Sequence, residues 1–297
     1  MIKKLYDLLY LSKNSKFYLI VYRSIKIFLN FYYPIHCYIF RTSIRTVESN
    51  GLILSLTSFP GRINSTYIVI ETLLRQTLHP EKIILWLANS QFKSEETLPE
   101  KLIELKKRGL IIKFCDDLGP HKKYYYAMKN YPSYTIITVD DDTFYPENLV
   151  ENLVSLNNKY PNTVCCNLAH LITVNNGYVQ PYENWGSDAD GFSGPSDLLV
   201  PIGCGGVLYP PFSLNINVFD QSQISDLCPS ADDLWLKSMA SINGVMAVKT
   251  SPISIAYANI ISTQRQRLSS VNADQKMNDF QLMKIMSHYP QLSKIWQ

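Results

Sequence analysis

From residue 51 onward the chain repeats one pattern, and that pattern restricts it to a layered α/β architecture. Short apolar runs occur at 52–57, 83–87, 110–114 and 135–139. Between them lie segments whose apolar residues recur three and four apart. A helix is expected over 63–76, with Tyr67, Ile70 and Leu74 on its inner face. Another is expected from Pro99 to Arg108, with Leu98, Leu102 and Leu105 inward and Gly109 as its stop. Further helices are expected over 122–130 and from Pro146 to about residue 159. The strands are apolar throughout rather than alternating, as in a parallel sheet covered on both faces. The expected fold class is therefore α/β, a Rossmann-like, mostly parallel sheet flanked by helices. The second half is less regular, with Gly- and Pro-rich loops over 186–213. A helix over 232–243, a strand over 245–249 and a helix over 274–288 follow.

Composition narrows the class. With 46% hydrophobic and 18% charged residues, the chain has material for a large core and none of the signature of a disordered one. The net charge of +3 is unevenly spread: residues 1–50 hold eight Lys or Arg against Asp7 and Glu48, leaving −3 for the remainder. No concentrated basic face within the α/β part points to nucleic acid. The N-terminal 50 residues are also rich in Tyr, Phe, Ile and Leu. Arg23, Lys26 and Asn30 interrupt the apolar run from Phe17 to Phe40, which makes a poor transmembrane helix. Two readings of this arm stay open: peripheral contact with an anionic membrane surface, or a helical hairpin packed on the domain. The organisation expected is an arm over 1–50 and one catalytic domain over 51–297. Six cysteines without a CxxC pair indicate reduced thiols and a cytoplasmic protein.

In open α/β sheets ligands bind beyond the carboxyl ends of the strands. Two segments lie there, Thr57 to Arg62 and Asp140-Asp141-Asp142. Three adjacent carboxylates repel one another, and each raises the pKa of its neighbours. A divalent cation with a preference for carboxylate oxygen, Mn²⁺ or Mg²⁺, removes that penalty and shares its shell with substrate phosphates. The plainer reading is a solvated acidic turn with Asp142 capping the next helix.

The segment Ile-Thr-Val-Asp140-Asp-Asp142-Thr-Phe-Tyr-Pro146 resembles the DxD element of GT-A glycosyltransferases, in particular bacterial family-2-like enzymes of surface polysaccharide synthesis. Four further segments resemble that family in order. Leu54 to Arg62 resembles the first strand and nucleotide-facing turn, and Gly119 to Tyr124 the basic loop. Gly203 to Pro210 resembles the acceptor-side glycine loop, and Ala231-Asp-Asp-Leu-Trp-Leu236 the later acidic pair. The resemblance covers roughly residues 51–290. It implies transfer of a sugar from a nucleoside diphosphate-sugar, UDP-sugars favoured, to a glycan or lipid-linked acceptor. It also implies Asp140 and Asp142 as the residues that meet the donor ribose and the metal, with Asp141 ambiguous in register.

For an inverting transfer, which the sequence does not distinguish from a retaining one, it further implies Asp233 as the base, with Asp232 second. Acids at that position also suit any helix N-terminus. Thr57, Arg62, Lys122 and Lys123 are the donor-side candidates. Lys122 and Lys123 could equally begin a solvated helix face, and Arg62 could cap a sheet end. Gly203, Gly205 and Gly206 permit close backbone approach. Gly205, Gly206 and Trp185, beside Tyr182, are the acceptor-side candidates, though Trp185 could equally be core. His170 and His288 could complete a metal shell but suit structural roles better. A metal-dependent nucleotidyltransferase would carry a Gly-rich basic loop directly after the first strand, and 58–62 is thin for that. An inactive carbohydrate-binding scaffold would not need the acids, and a glycosidase would need two carboxylates flanking the bond rather than a triplet.

Overall fold

The computed structural model describes residues 1–42, 50–266 and 276–297. The start expected for the last helix, residue 274, and the basic Arg45 of the arm lie outside the described residues. The strands are β1 Leu52–Thr57, β2 Lys82–Ala88, β3 Leu110–Cys115, β4 Thr135–Thr138, β5 Val164–Cys166 and β6 Ala169–Leu171. They continue as β7 Val174–Asn175, β8 Tyr178–Val179, β9 Leu199–Pro201, β10 Val207–Tyr209 and β11 Ala247–Lys249. The helices are α1 Ile2–Ser12, α2 Tyr18–Ile39, α3 Ile63–Leu73, α4 Glu100–Lys106, α5 Lys122–Asn130, α6 Leu149–Lys159, α7 Gln221–Leu227, α8 Asp232–Ile242, α9 Met277–His288 and α10 Leu292–Ile295.

Seven strands form one sheet in the order β3-β2-β1-β4-β10-β5-β11. All neighbours are parallel except β10, which runs antiparallel to both β4 and β5. The mostly parallel sheet is as the apolar runs require. Along β1, Leu52, Leu54 and Leu56 pack into one core and Ile53 into another on the opposite face. The antiparallel β10 departs from the sequence reading. Its three residues follow Gly203, Gly205 and Gly206 and carry too little pattern to separate from a glycine loop. Because Ser55 of β1 pairs with Thr138 of β4, the loops leaving these two strands are neighbours at one sheet edge.

One helix start and one helix end differ from expectation for a traceable reason. α6 begins at Leu149, not Pro146, and α3 ends at Leu73. Gln76 leaves the helical path, and its side chain donates to Pro146 O at 2.8 Å and accepts from Val150 N–H at 3.0 Å. That pair serves one of the free N–H groups of the α6 first turn.

The inner face of the α1–α2 hairpin belongs to the main core. Ile2, Tyr6, Leu9, Ile25, Leu29, Tyr33 and Cys37 share a cluster with β1 and α3. Tyr6 Oη donates to Phe144 O and accepts from Ala258 N–H, both at 2.8 Å. Asn30 donates to Asn259 O at 3.1 Å and accepts from Ile261 N–H at 2.8 Å. Among the described residues, no helix is long and apolar enough to cross a membrane. All six cysteines are free thiols.

Candidate active site

Two acidic groups 90 positions apart in the chain meet at this sheet edge. The loop leaving β4 carries Asp140, Asp141 and Asp142, and α8 begins with Asp232 and Asp233. Lys123, in the first turn of α5, joins them: its Nζ lies 2.7 Å from Asp140 Oδ1 and 2.9 Å from Asp232 Oδ2. Ser55, buried in β1, fixes that turn. Its hydroxyl donates to Lys123 O and accepts from Trp86 Nε1–H. Burial alone would lower the Lys123 pKa, but the carboxylates of Asp140, Asp232 and Asp233 outweigh it and hold the ammonium charged.

The three aspartates have different surroundings. Asp141 is buried, and both its oxygens are engaged, one by Ser58 Oγ and one by Arg62 Nη1 at 2.8 Å. Its pKa is nonetheless raised, by burial first. Asp142 Oδ2 lies 3.1 Å from Arg62 Nη1 and 3.3 Å from Gln264 Nε2. Burial pushes its carboxyl up to about 6, with the charges of Asp140 and Asp141 adding to the effect against Arg62. Asp140 is the most open of the three, with its side chain 29% exposed. Tyr145 Oη accepts from its backbone N–H at 2.8 Å and fixes the turn.

Asp233 accepts from Gly203 N–H with both oxygens, at 3.1 Å each. Its pKa is raised well above that of an ordinary carboxylate, by burial first and then by the charge of Asp232. Gly203 is required for the approach. A Cβ there would sit 2.9 Å from Lys123 Nζ, 3.2 Å from Asp233 Oδ1 and 3.3 Å from Asp140 Oδ1. Gly205 and Gly206 do different work: a Cβ on Gly205 would collide with Leu168 at 2.8 Å, and one on Gly206 would press on Leu149 at 3.0 Å. Of the glycines expected on the acceptor side, those two pack against the core, and Gly203 faces the acids.

The remaining candidates divide similarly. Neither Lys122 nor Lys123 is on a solvated face, since both are buried. Lys122 pairs with Asp117 at 2.6 Å, away from the aspartate cluster. The Thr57 hydroxyl donates to Trp86 O at 2.8 Å and so is spent within the sheet. Trp185 is buried, and its indole N–H donates to Gln180 O at 2.8 Å. Tyr182 packs on it with ring centres 4.9 Å apart, and His170 packs on Tyr182. These rings, with Glu183 and Asp279, line a cavity of about 240 Å³. The charge of Asp233 reaches Tyr182, whose pKa is raised by burial first. His288 stacks edge-on to Tyr289 at the end of α9. Ser58, Tyr145 and Gln264 were not singled out by sequence. Only the fold brings Gln264, 122 positions away, onto Asp142.

The donor set suits a divalent cation. Five carboxylates gather here, and Arg62 and Lys123 are the cations ion-paired to them. Among the described residues no three His, Cys, Asp or Glu side chains converge as a closed metal cage. An ion held by one or two carboxylates and completed by substrate phosphates needs no such cage. Asp142, whose ionised form is disfavoured by burial, and the open Asp140 are the residues that fit it.

The Lys123 bridge gives a first test. Lys123→Met leaves Asp232 buried without its counter-charge, so a stability loss of about 3–5 kcal/mol is expected in urea denaturation. Lys122→Met should cost less, because its partner Asp117 is 31% exposed and still accepts from Gln91 and from Gly119 N–H. Equal losses would mean that Lys123 is not the joint between the two acidic groups.

No protein-family profile matches the chain, and no curated protein sequence does. Solved structures show partial likeness. The mannosyltransferase PcManGT from Pyrobaculum calidifontis, in complex with GDP-Man and Mn²⁺, aligns over 84% of this chain and 66% of its own, with 10% identity and a TM-score of 0.44. S. aureus TarS 1–349 aligns over 69% and 59%, with 13% identity and a TM-score of 0.45. GalNAc-T7 with UDP, GalNAc and Mn²⁺ aligns over 68% and 41%, with 12% identity and a TM-score of 0.42. The chain spans two thirds or less of each of these.

Proposed function

We infer that the chain is a metal-dependent glycosyltransferase acting from a nucleoside diphosphate-sugar on a glycan or lipid-linked acceptor. The setting we assign is surface polysaccharide synthesis, on the cytoplasmic side and in peripheral contact with an anionic membrane. The observation that carries the catalytic reading is the Lys123 bridge. It joins Asp140 of the acidic triplet to Asp232, whose neighbour Asp233 has a raised pKa that suits a base. The free thiols agree with a reducing compartment.

In this reading Asp140 and Asp142 hold Mn²⁺ or Mg²⁺. When bound, the ion supplies Lewis-acid neutralisation of charge on the departing nucleoside diphosphate. Asp233 takes the proton of the acceptor hydroxyl as that oxygen attacks the sugar carbon from the face opposite the diphosphate. The Gly203 N–H orients it, and Asp232 with Lys123 sets its electrostatic surroundings. Arg62 holds Asp141 and Asp142 in place and stands near enough to the donor acids to meet a phosphate. The Tyr182 and Trp185 cavity is the acceptor-side candidate, with the exposed part of Tyr182 as its apolar wall.

A donor panel read by thermal shift tests this directly, UDP-sugars first and GDP-sugars next, each with and without Mn²⁺. A ligand at about 100 times its Kd stabilises by roughly 2.7 kcal/mol. The shift is expected only with nucleotide and cation together, because the acids alone repel a diphosphate. A panel without any cation-dependent shift would reject the reading.

A further inference from the structure

We propose that the outer face of the α1–α2 hairpin docks on an anionic lipid bilayer, lying in its interface. α2 is apolar on two opposite sides. Ile25, Leu29, Tyr33 and Cys37, four apart, are buried against the domain. On the far side, Ile20, Ile27, Phe31, Ile35 and Tyr38 recur at helical spacing and are exposed, Phe31 at 73% and Tyr38 at 74%. The hairpin turn continues this surface through Leu11, 80% exposed, and Phe17. One buried face accounts for a surface helix, and a second, opposite apolar face on the same helix is an interaction site.

Charge selects the occupant. Residues 1–42 carry seven Lys or Arg against the single acid Asp7, and α2 has no acid at all. Lys4, Lys16 and Arg23 are exposed beside the apolar strip. Aromatic and aliphatic side chains rimmed by lysine and arginine match the acyl boundary and the anionic headgroups of a bilayer. A second copy of the chain fits poorly, because a symmetric pairing would set Lys16 and Arg23 against their own kind. The hairpin is too charged to span and too apolar outward for water alone.

The same helices grip the donor side from within. Tyr6 joins Phe144, two residues after Asp142, to Ala258, and Asn30 holds the 259–261 segment that leads to Gln264. A docked hairpin therefore holds the donor acids in fixed relation to the lipid surface. That a lipid-linked acceptor is met there rests on the glycosyltransferase reading; the docking does not, and it is measured without donor or acceptor.

The test is co-sedimentation of the full chain with phosphatidylcholine vesicles and with phosphatidylcholine–phosphatidylglycerol vesicles. Binding at least about tenfold tighter to the anionic vesicles, weakening as salt rises, is expected. Phe31→Ser/Ile35→Ser and Lys16→Glu/Arg23→Glu, all at exposed positions, should each lose about tenfold or more while melting like the wild type. Deleting the arm is the poorer test, since it strips the inner face from the core. Absent binding, equal binding to both vesicle types, or unchanged binding in the variants would overturn the proposal. So would a concentration-dependent dimer that Phe31→Ser dissolves with vesicles left unbound.

Discussion

Asp142→Asn, and separately removal of divalent cations with EDTA, should each abolish sugar transfer while the chain stays folded. The site holds more negative charge than its own cations offset, and the donor brings a further diphosphate. Without a divalent ion, that diphosphate meets a repulsive surface and has no acceptor for the charge of its departure. Several kcal/mol of such stabilisation correspond to a rate loss on the order of 10³-fold or more. The fold should tolerate the substitution. Asparagine keeps the shape and one oxygen for Gln264, and Arg62 retains its 2.8 Å contact with Asp141. It also removes a carboxylate whose ionisation burial already opposes. The measurements are turnover with titrated Mn²⁺, with and without EDTA, and a melting curve of the variant. Full turnover in excess EDTA would sink the metal assignment, and an unfolded Asp142→Asn would leave the EDTA arm to decide.

How much of this was legible in the sequence depended on whether the signal was local. The four strands of the first half carry their own signature in runs dominated by Leu and Ile, and the helix expected over 122–130 is found at Lys122–Asn130. The strand-end position of Asp140 to Asp142 followed from the same pattern. What stayed hidden were facts of phase and distance. Nothing in Lys122-Lys123 says which of two adjacent lysines faces the acids. A helix separates them by about 100°, and only the docking of α5 on Ser55 decides. The glycines 203, 205 and 206 looked alike, yet only the first faces carboxylates, while the others meet Leu168 and Leu149. Sequence leaves Arg62 equally a nucleotide contact or a cap, and only the fold sets Asp141 on its guanidinium. The partnership of Tyr6 with Ala258 spans 252 positions and has no local trace. The arm's two opposite apolar faces show in the sequence as composition but not as geometry; the fold packs the inner face on the domain, and the outer one carries the docking proposal.

Asp233→Asn should slow transfer by about 10²–10⁴-fold and leave donor affinity nearly unchanged, as loss of a general base does. In the proposed reading the donor diphosphate binds through Asp140, Asp142 and the ion, so its Kd should not follow Asp233. An interaction made only as the hydroxyl is deprotonated lowers kcat and kcat/KM together. Asp232→Asn should be milder in rate, because Asp232 is paired with Lys123 and the proposed reading gives it no contact with the acceptor. Stability offers an independent signature. The Asp233 pKa is raised on folding, so the native state binds its proton more tightly than the unfolded chain does. Its ionised form therefore costs stability once the pH passes the unfolded value near 4, and the cost grows until the raised folded pKa is passed. Removing that charge should be neutral or stabilising at neutral pH, within about 1 kcal/mol. Asparagine still offers one oxygen to Gly203 N–H. A merely structural carboxylate would show the reverse, a lower melting point with activity retained per folded molecule. The acid limb of kcat/KM should also lie above the range of an ordinary carboxylate, since the base works only when deprotonated. Near wild-type kcat in Asp233→Asn would reject the assignment and direct attention to Asp232, or to a retaining reaction that needs no base at this position.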